Sequence, residues 1–405
     1  MKRRLHRRGA REAKANGAAL ASLVLLAAGT VRTARAEPLR LRADAVAETQ
    51  SPAGLVVLQG SDKVRPWIDA EALVWAGART DPTADVLVLT LRLRDPRGRG
   101  EVRGGRFVFA TGAIRPVQVD GASALGRAAW GGTVELMAGV PVVPRFGARA
   151  YDWIVAGRVA QSVGAGARAK AGVSYVQRRA HGEVADEEVG ADVAAAPVRG
   201  IDLAARGAYD LTSPGIADAL VSVAGRKGDV RIEGFATHRS PSRLIPATSL
   251  FSVLGDVPSD MIGTTVRWNA APRLDVWATG AGQRIGHAFG GNASLRALLR
   301  LDDAGAGTLG VELRRQSVST ARWTGVRMVG SHPLGGHLRV SSEIEIAIPD
   351  EARGRGIVWP WGLLALAWRS RDGWEAAGGV EAASTPEHRF EVNGLVRLSR
   401  VLVLP

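Results

Sequence analysis

The sequence predicts an all-β protein: a transmembrane, antiparallel, up-and-down β-barrel of about 16–18 strands. Three observations carry this expectation. Apolar and polar residues alternate with period two along most of the chain, the spacing that sends the two sets to opposite faces of a strand. No window reaches the roughly 18 uninterrupted apolar residues of a helical span; the nearest, Ile357 to Trp368, is short and holds Pro360. Compact turns alternate with much longer connections, as in barrels that cross a membrane.

Taken in order, residues 1–36 read as a cleaved signal peptide and residues 37–405 as the barrel. Lys2, Arg3, Arg4, Arg7, Arg8, Arg11 and Lys14 form a basic start. An apolar run, Gly17 to Gly29, follows, and then Ala34-Arg35-Ala36, with cleavage expected after Ala36. This leader holds much of the formal charge of +14. Without it, 44 basic and 38 acidic residues leave +6, too little over such a length for a nucleic-acid footprint. Cysteine is absent, which excludes disulfides, thiolate metal sites and a Cys nucleophile.

The strands follow. Leu39, Leu41, Ala43, Ala45 and Ala47 fall on one face, with Arg40, Arg42, Asp44 and Glu48 on the other. Ile68, Ala70, Ala72 and Val74 oppose Asp69 and Glu71. A strand from Arg106 to Ala110 then leads into a Gly-, Pro- and Asp-rich segment, Thr111 to Leu125, read as a mouth loop bearing Arg115 and turning at Asp120-Gly121. The return strand is Thr133 to Val140. Val230, Ile232, Gly234 and Ala236 oppose Arg231 and Glu233. A second long connection, Arg239 to Met261, carries Arg243, Phe251 and Asp256. Its apolar centre suits a constriction or plug folded against the wall. Leu309, Val311 and Leu313 oppose Glu312 and Arg314; Ile344, Ile346 and Ile348 oppose Arg339, Glu343 and Glu345; Val392, Val396 and Leu398 oppose Arg397.

The apolar faces are rich in Ala, Val, Leu and Gly and poor in bulk. A sandwich core needs larger side chains to fill about 10 Å between sheets, whereas a lipid-facing wall needs only to be apolar. The charged faces then line a lumen. The pore-lining candidates are Arg40, Arg42, Asp44, Asp69, Glu71, Arg106, Arg231, Glu233, Glu312, Arg314, Arg339, Glu343 and Arg397. Charges so placed either set ion preference or pair across strands and satisfy a polar interior. Six His follow residue 36, most of them near strand ends, without a carboxylate set to complete a metal site. Gly-x-Ser-x-Gly is absent. The reading is therefore no enzyme, no metal and no cofactor.

The segment GGRFVFATGAIRPVQVDG resembles bacterial outer-membrane porin-like barrels, closest to the alginate-export or phosphate-selective porin type. Gly105-Arg106 and Asp120-Gly121 occupy the matching places. The resemblance implies outer-membrane lipid as the surroundings and passage of small polar or anionic solutes. It also implies the barrel-assembly machinery and periplasmic chaperones as partners in biogenesis. A non-conducting scaffold, receptor or anchor is the alternative, and a barrel hydrolase a more distant one.

Overall fold

The computed structural model describes residues 39–404 apart from 49–52, 79–81, 143–152, 165–167, 241–258, 319–320, 352–356 and 385–389. The described residues form β1 (Leu39–Glu48), β2 (Ala53–Arg65), β3 (Ile68–Ala78), β4 (Pro82–Arg94), β5 (Gly100–Thr111), β6 (Ile114–Arg127), β7 (Gly132–Pro141) and β8 (Trp153–Val163). Next come β9 (Ala169–Ala180), β10 (Glu183–Val198), β11 (Ile201–Asp210), β12 (Gly215–Lys227), β13 (Val230–Arg239), β14 (Ser259–Ala271) and β15 (Leu274–Ile285). The remainder are β16 (Ala288–Arg300), β17 (Thr308–Val318), β18 (Ala321–Pro333), β19 (Leu338–Pro349), β20 (Trp359–Arg369), β21 (Trp374–Ala383) and β22 (Glu391–Leu404).

Each strand pairs antiparallel with its sequence neighbours, and β1 closes on β22 from Leu39↔Leu404 to Glu48↔Leu395. The fold is the expected up-and-down barrel, but with 22 strands among the described residues rather than 16–18. Two features explain the difference. Several turns take only two residues, such as Arg199-Gly200 and Pro272-Arg273, so the repeat is shorter than about 20 residues. Thr111 to Leu125 is also no loop: Pro116 and Gly121 lie within β6, and the turn is Gly112-Ala113. Arg115 and Asp120 are strand residues, and Asp120-Gly121 makes no turn.

Connections at one end span two to seven residues. The three longest, residues 142–152, 240–258 and 350–358, all lie at the other end. In outer-membrane barrels the short-turn end faces the periplasm.

One parity is apolar and exposed throughout. On β17 it holds Leu309, Val311 and Leu313, and on β20 Leu364 and Leu366. So large an apolar surface belongs in lipid. Trp268, Trp368 and Trp374 share this outer face near the short-turn end, with Arg400 over the Trp374 ring at 4.6 Å. Trp130 projects from the turn before β7. Trp153, with Arg179 at 5.5 Å, marks the opposite end. The sparse aromatic girdles thus rest on Trp, whose ring suits the boundary between lipid and water.

The buried apolar core lies inside the barrel. The β4–β5 ladder stops at Leu89↔Arg106, and the β6–β7 ladder stops at Val119↔Pro141. Between them β5 and β6 pair only with each other, on to Thr111↔Ile114. This hairpin leaves the wall and enters the lumen. A side chain at Gly112 would meet Asp192 and Arg158, and one at Gly190 would meet Ala113. Phe107, Phe109, Ile114, Val117 and Val119 pack with Met137, Ile154, Ala156 and Val176 of β7–β9. A 22-strand wall encloses more space than wall side chains can fill, and the hairpin occupies part of it.

Candidate functional site

The bend that sends the hairpin inward is set by sequence at one row. Gly105, Gly121 and Gly139 are in register across β5, β6 and β7. Gly105 has φ 115°, and a Cβ there would sit 2.0 Å from the Leu89 carbonyl oxygen. A Cβ on Gly121 would sit 2.2 Å from that of Ala138. Only glycine permits such crossings. As β5 departs, carbonyls of β4 lose their ladder partners, and buried carbonyls need donors. Arg106 Nη1 donates to the Val86 carbonyl at 2.8 Å, and Gln118 Nε2 to that of Leu87 at 2.6 Å. Arg106 also binds Asp120 through Nε at 2.7 Å and Asp85 through Nη1 at 3.0 Å. It therefore anchors the hairpin root and is not a free wall charge.

At the hairpin tip stands Arg158, whose side chain is 4 % exposed. It donates to Glu135 at 3.0 Å and to Asp192 at 2.9 and 2.5 Å, a fork-on-carboxylate geometry. Arg178 and Glu188, both buried, lie on the same inner face.

The other residues expected to line the pore fall largely into ion pairs. Asp44 accepts from Arg42 at 2.8 Å and Arg397 at 2.7 Å. Asp69 meets Arg94 at 3.1 Å, while Glu71 stands opposite Ser61 and Thr90. Arg314 pairs with Glu345; Arg327 pairs with Glu343 at 2.5 Å and Glu312 at 3.7 Å. Arg339 donates to the Ser331 hydroxyl at 3.2 Å. Arg231 has only the longer contacts, Glu233 at 3.5 Å and Asp202 at 3.8 Å. Arg40 occupies the register position opposite Val403. Arg243, Phe251 and Asp256 lie outside the described residues.

One sector differs. Arg226, Arg231, Arg267, Trp277 and Arg296 are successive cross-strand partners from β12 to β16. Arg267 and Arg296 flank the Trp277 ring, each at 5.5 Å from its centroid. Among the described residues no carboxylate pairs with Arg226, Arg267 or Arg296. Like charges stand directly opposite one another within the row, and with Glu312 in register beside Arg296 and Glu233 near Arg231 it still presents a net positive charge to the lumen. Sequence reading found Arg231 but missed Arg267, Arg296, Trp277 and Arg158. Each has lumen parity on its own strand, a readable signal; their alignment depends on register.

A closed antiparallel wall, apolar outside and ion-paired inside, with its longest connections at one end, defines an up-and-down transmembrane β-barrel, the architecture of bacterial outer-membrane barrels. No protein-family model and no curated protein matches the chain. Solved structures match it in fold. The P pilus usher (PapC) translocation pore has a TM-score of 0.52 at 9 % identity, over 91 % of this chain and 100 % of that one. The copper transporter OprC has 0.55 at 10 %, over 92 % and 82 %. At these identities the likeness is one of fold.

Proposed function

We propose that the protein is an outer-membrane channel for passive diffusion of small polar solutes, with anions preferred. The observation that carries this reading is the arginine row on β12–β16. It lies away from the hairpin's contacts on β7–β10, and Arg231 keeps a 46 % exposed side chain. Low-dielectric walls concentrate the field of such charges and raise the local concentration of anions. The hairpin narrows the opposite side and leaves the arginine row facing water.

The test is reversal potential in planar bilayers under a salt gradient. The wild-type barrel should be anion-selective. The double change Arg267→Glu and Arg296→Glu should move the reversal potential toward cations, and high salt should shrink the difference by screening. A folded wild-type barrel that is cation-selective would overturn the anion preference. Absence of conductance would favour the scaffold or receptor reading, which a hairpin occupying part of the lumen also suits.

A further inference from the structure

We infer that the outer face of β11–β13, at the short-turn end, binds a phospholipid with an anionic head group. A groove of about 580 Å³ opens there toward lipid. Ile201, Val223, Val230 and Ile232 form its apolar walls, all on the lipid-facing parity. Its floor is a notch made by two glycines on the same parity. Gly225 stands in register between Ile201 and Ile232, and Gly234 between Val223 and Thr264.

The fold itself does not require these glycines. Neither has a positive φ, and at neither would an added Cβ meet any atom within 4 Å. They contrast with Gly105 and Gly121, where backbone crossings exclude every other residue. Glycine within a strand gives up packing and costs conformational entropy. What the pair provides is an open slot of the depth a hydrocarbon chain fills.

The rim of the groove is basic. Arg199 and Lys227 line it where β10 and β12 end, Arg226 between them carrying lumen parity, and no carboxylate pairs with Arg199 or Lys227 among the described residues. Asp229, in the turn after β12, is an acid of the same level, while Asp202 has lumen parity and lies 3.8 Å from Arg231, so the rim keeps a positive excess. Trp268, in register with Val230, sets the level of the lipid–water boundary here. Cations at that level meet the head-group phosphate, and the slot below receives an acyl chain. Basic pockets at a membrane boundary hold anionic lipids by this division of labour.

The test is native mass spectrometry of the mature barrel in detergent with phosphatidylglycerol or phosphatidylcholine of the same acyl chains. Wild type should retain phosphatidylglycerol about tenfold better, roughly 1.4 kcal/mol. Arg199→Gln with Lys227→Gln should remove that preference. Gly225→Leu, which fills the slot and keeps the rim, should lower retention of both lipids. The Gln variants change exposed turn-end side chains, so heat-modifiable gel migration should stay as in wild type and serve as the folding control. Equal retention of the two lipids by wild type would overturn the inference, as would undiminished phosphatidylglycerol retention in the folded Gln variant.

Discussion

Arg106 grips Asp120 through two nitrogens, at 2.7 and 2.9 Å, on the rung where the β5–β6 hairpin leaves the barrel wall. Gly105 and Gly121 occupy the adjacent rung. The two short motifs, 14 residues apart, are thus one cross-strand unit. The glycines allow the bend, and the ion pair with Asp85 and the Val86 carbonyl fixes its direction.

Arg106→Ala removes the guanidinium that donates to Asp120, Asp85 and the Val86 carbonyl, in a setting where Arg106 and Asp85 are each 16 % exposed. Breaking so enclosed a pair should cost about 3 kcal/mol, read as a lower urea midpoint. The freed hairpin should become cleavable by chymotrypsin after Phe107 and Phe109. Arg106→Lys keeps the charge but loses the fork, and should recover only part of the loss.

Gly121→Val places a side chain against the Ala138 carbonyl, where 2.2 Å is available to its first carbon. The barrel should lose its heat-modifiable gel band or fold with the hairpin unseated. Gly126→Ala, on the same strand with nothing within 4 Å, should migrate as wild type.

Arg158→Ala removes the guanidinium that packs beside Gly112 at the hairpin tip and leaves Glu135 and Asp192 facing each other. Single-channel conductance should rise and fluctuate as the tip loosens. Unchanged, quiet conductance in a folded variant would show that the tip needs no such anchor.

The turn between β16 and β17 offers a pH test. The amides of Ala306 and Gly307 donate to Asp302 at 2.8 and 2.5 Å and hold its carboxyl below the usual range. A lowered pKa means that the stabilisation is complete above the unfolded value, about 3.9, and fades as pH falls through the folded value. Hydrogen exchange at both amides should accelerate on acidification at pH values below about 4, after correction for intrinsic rates. In Asp302→Asn that dependence should vanish.

Export makes a further claim open to measurement. The A-x-A site predicts a mature chain that begins at Glu37, readable by N-terminal sequencing of outer-membrane fractions. Replacing Ala34 and Ala36 with larger residues should leave precursor uncleaved.

The barrel class was legible because the side-chain period of a strand is local. Leu309, Val311 and Leu313 declare a lipid face, and Glu312 and Arg314 a lumen face, with no knowledge of neighbouring strands. The charges at Arg42, Asp44 and Arg397 were legible in the same way, as parity. Their union was not: Arg397 and Asp44 meet across the closure, 353 residues apart. The glycines and Pro116 of Thr111 to Leu125 suggested a loop because the same residue types serve turns and sharply bent strands.

The sequence by itself determined that the chain is all-β, which face of most strands meets lipid, and that the interior is charged. Only the tertiary structure decided the number of strands, the inward course of the β5–β6 hairpin, and which charges are left without partners. Those depend on register, and register is fixed by turn lengths, bends and ring closure acting together. Arg231, Arg267 and Arg296 form a row, and Arg106 a clasp, because strands distant in sequence come to rest at one particular offset.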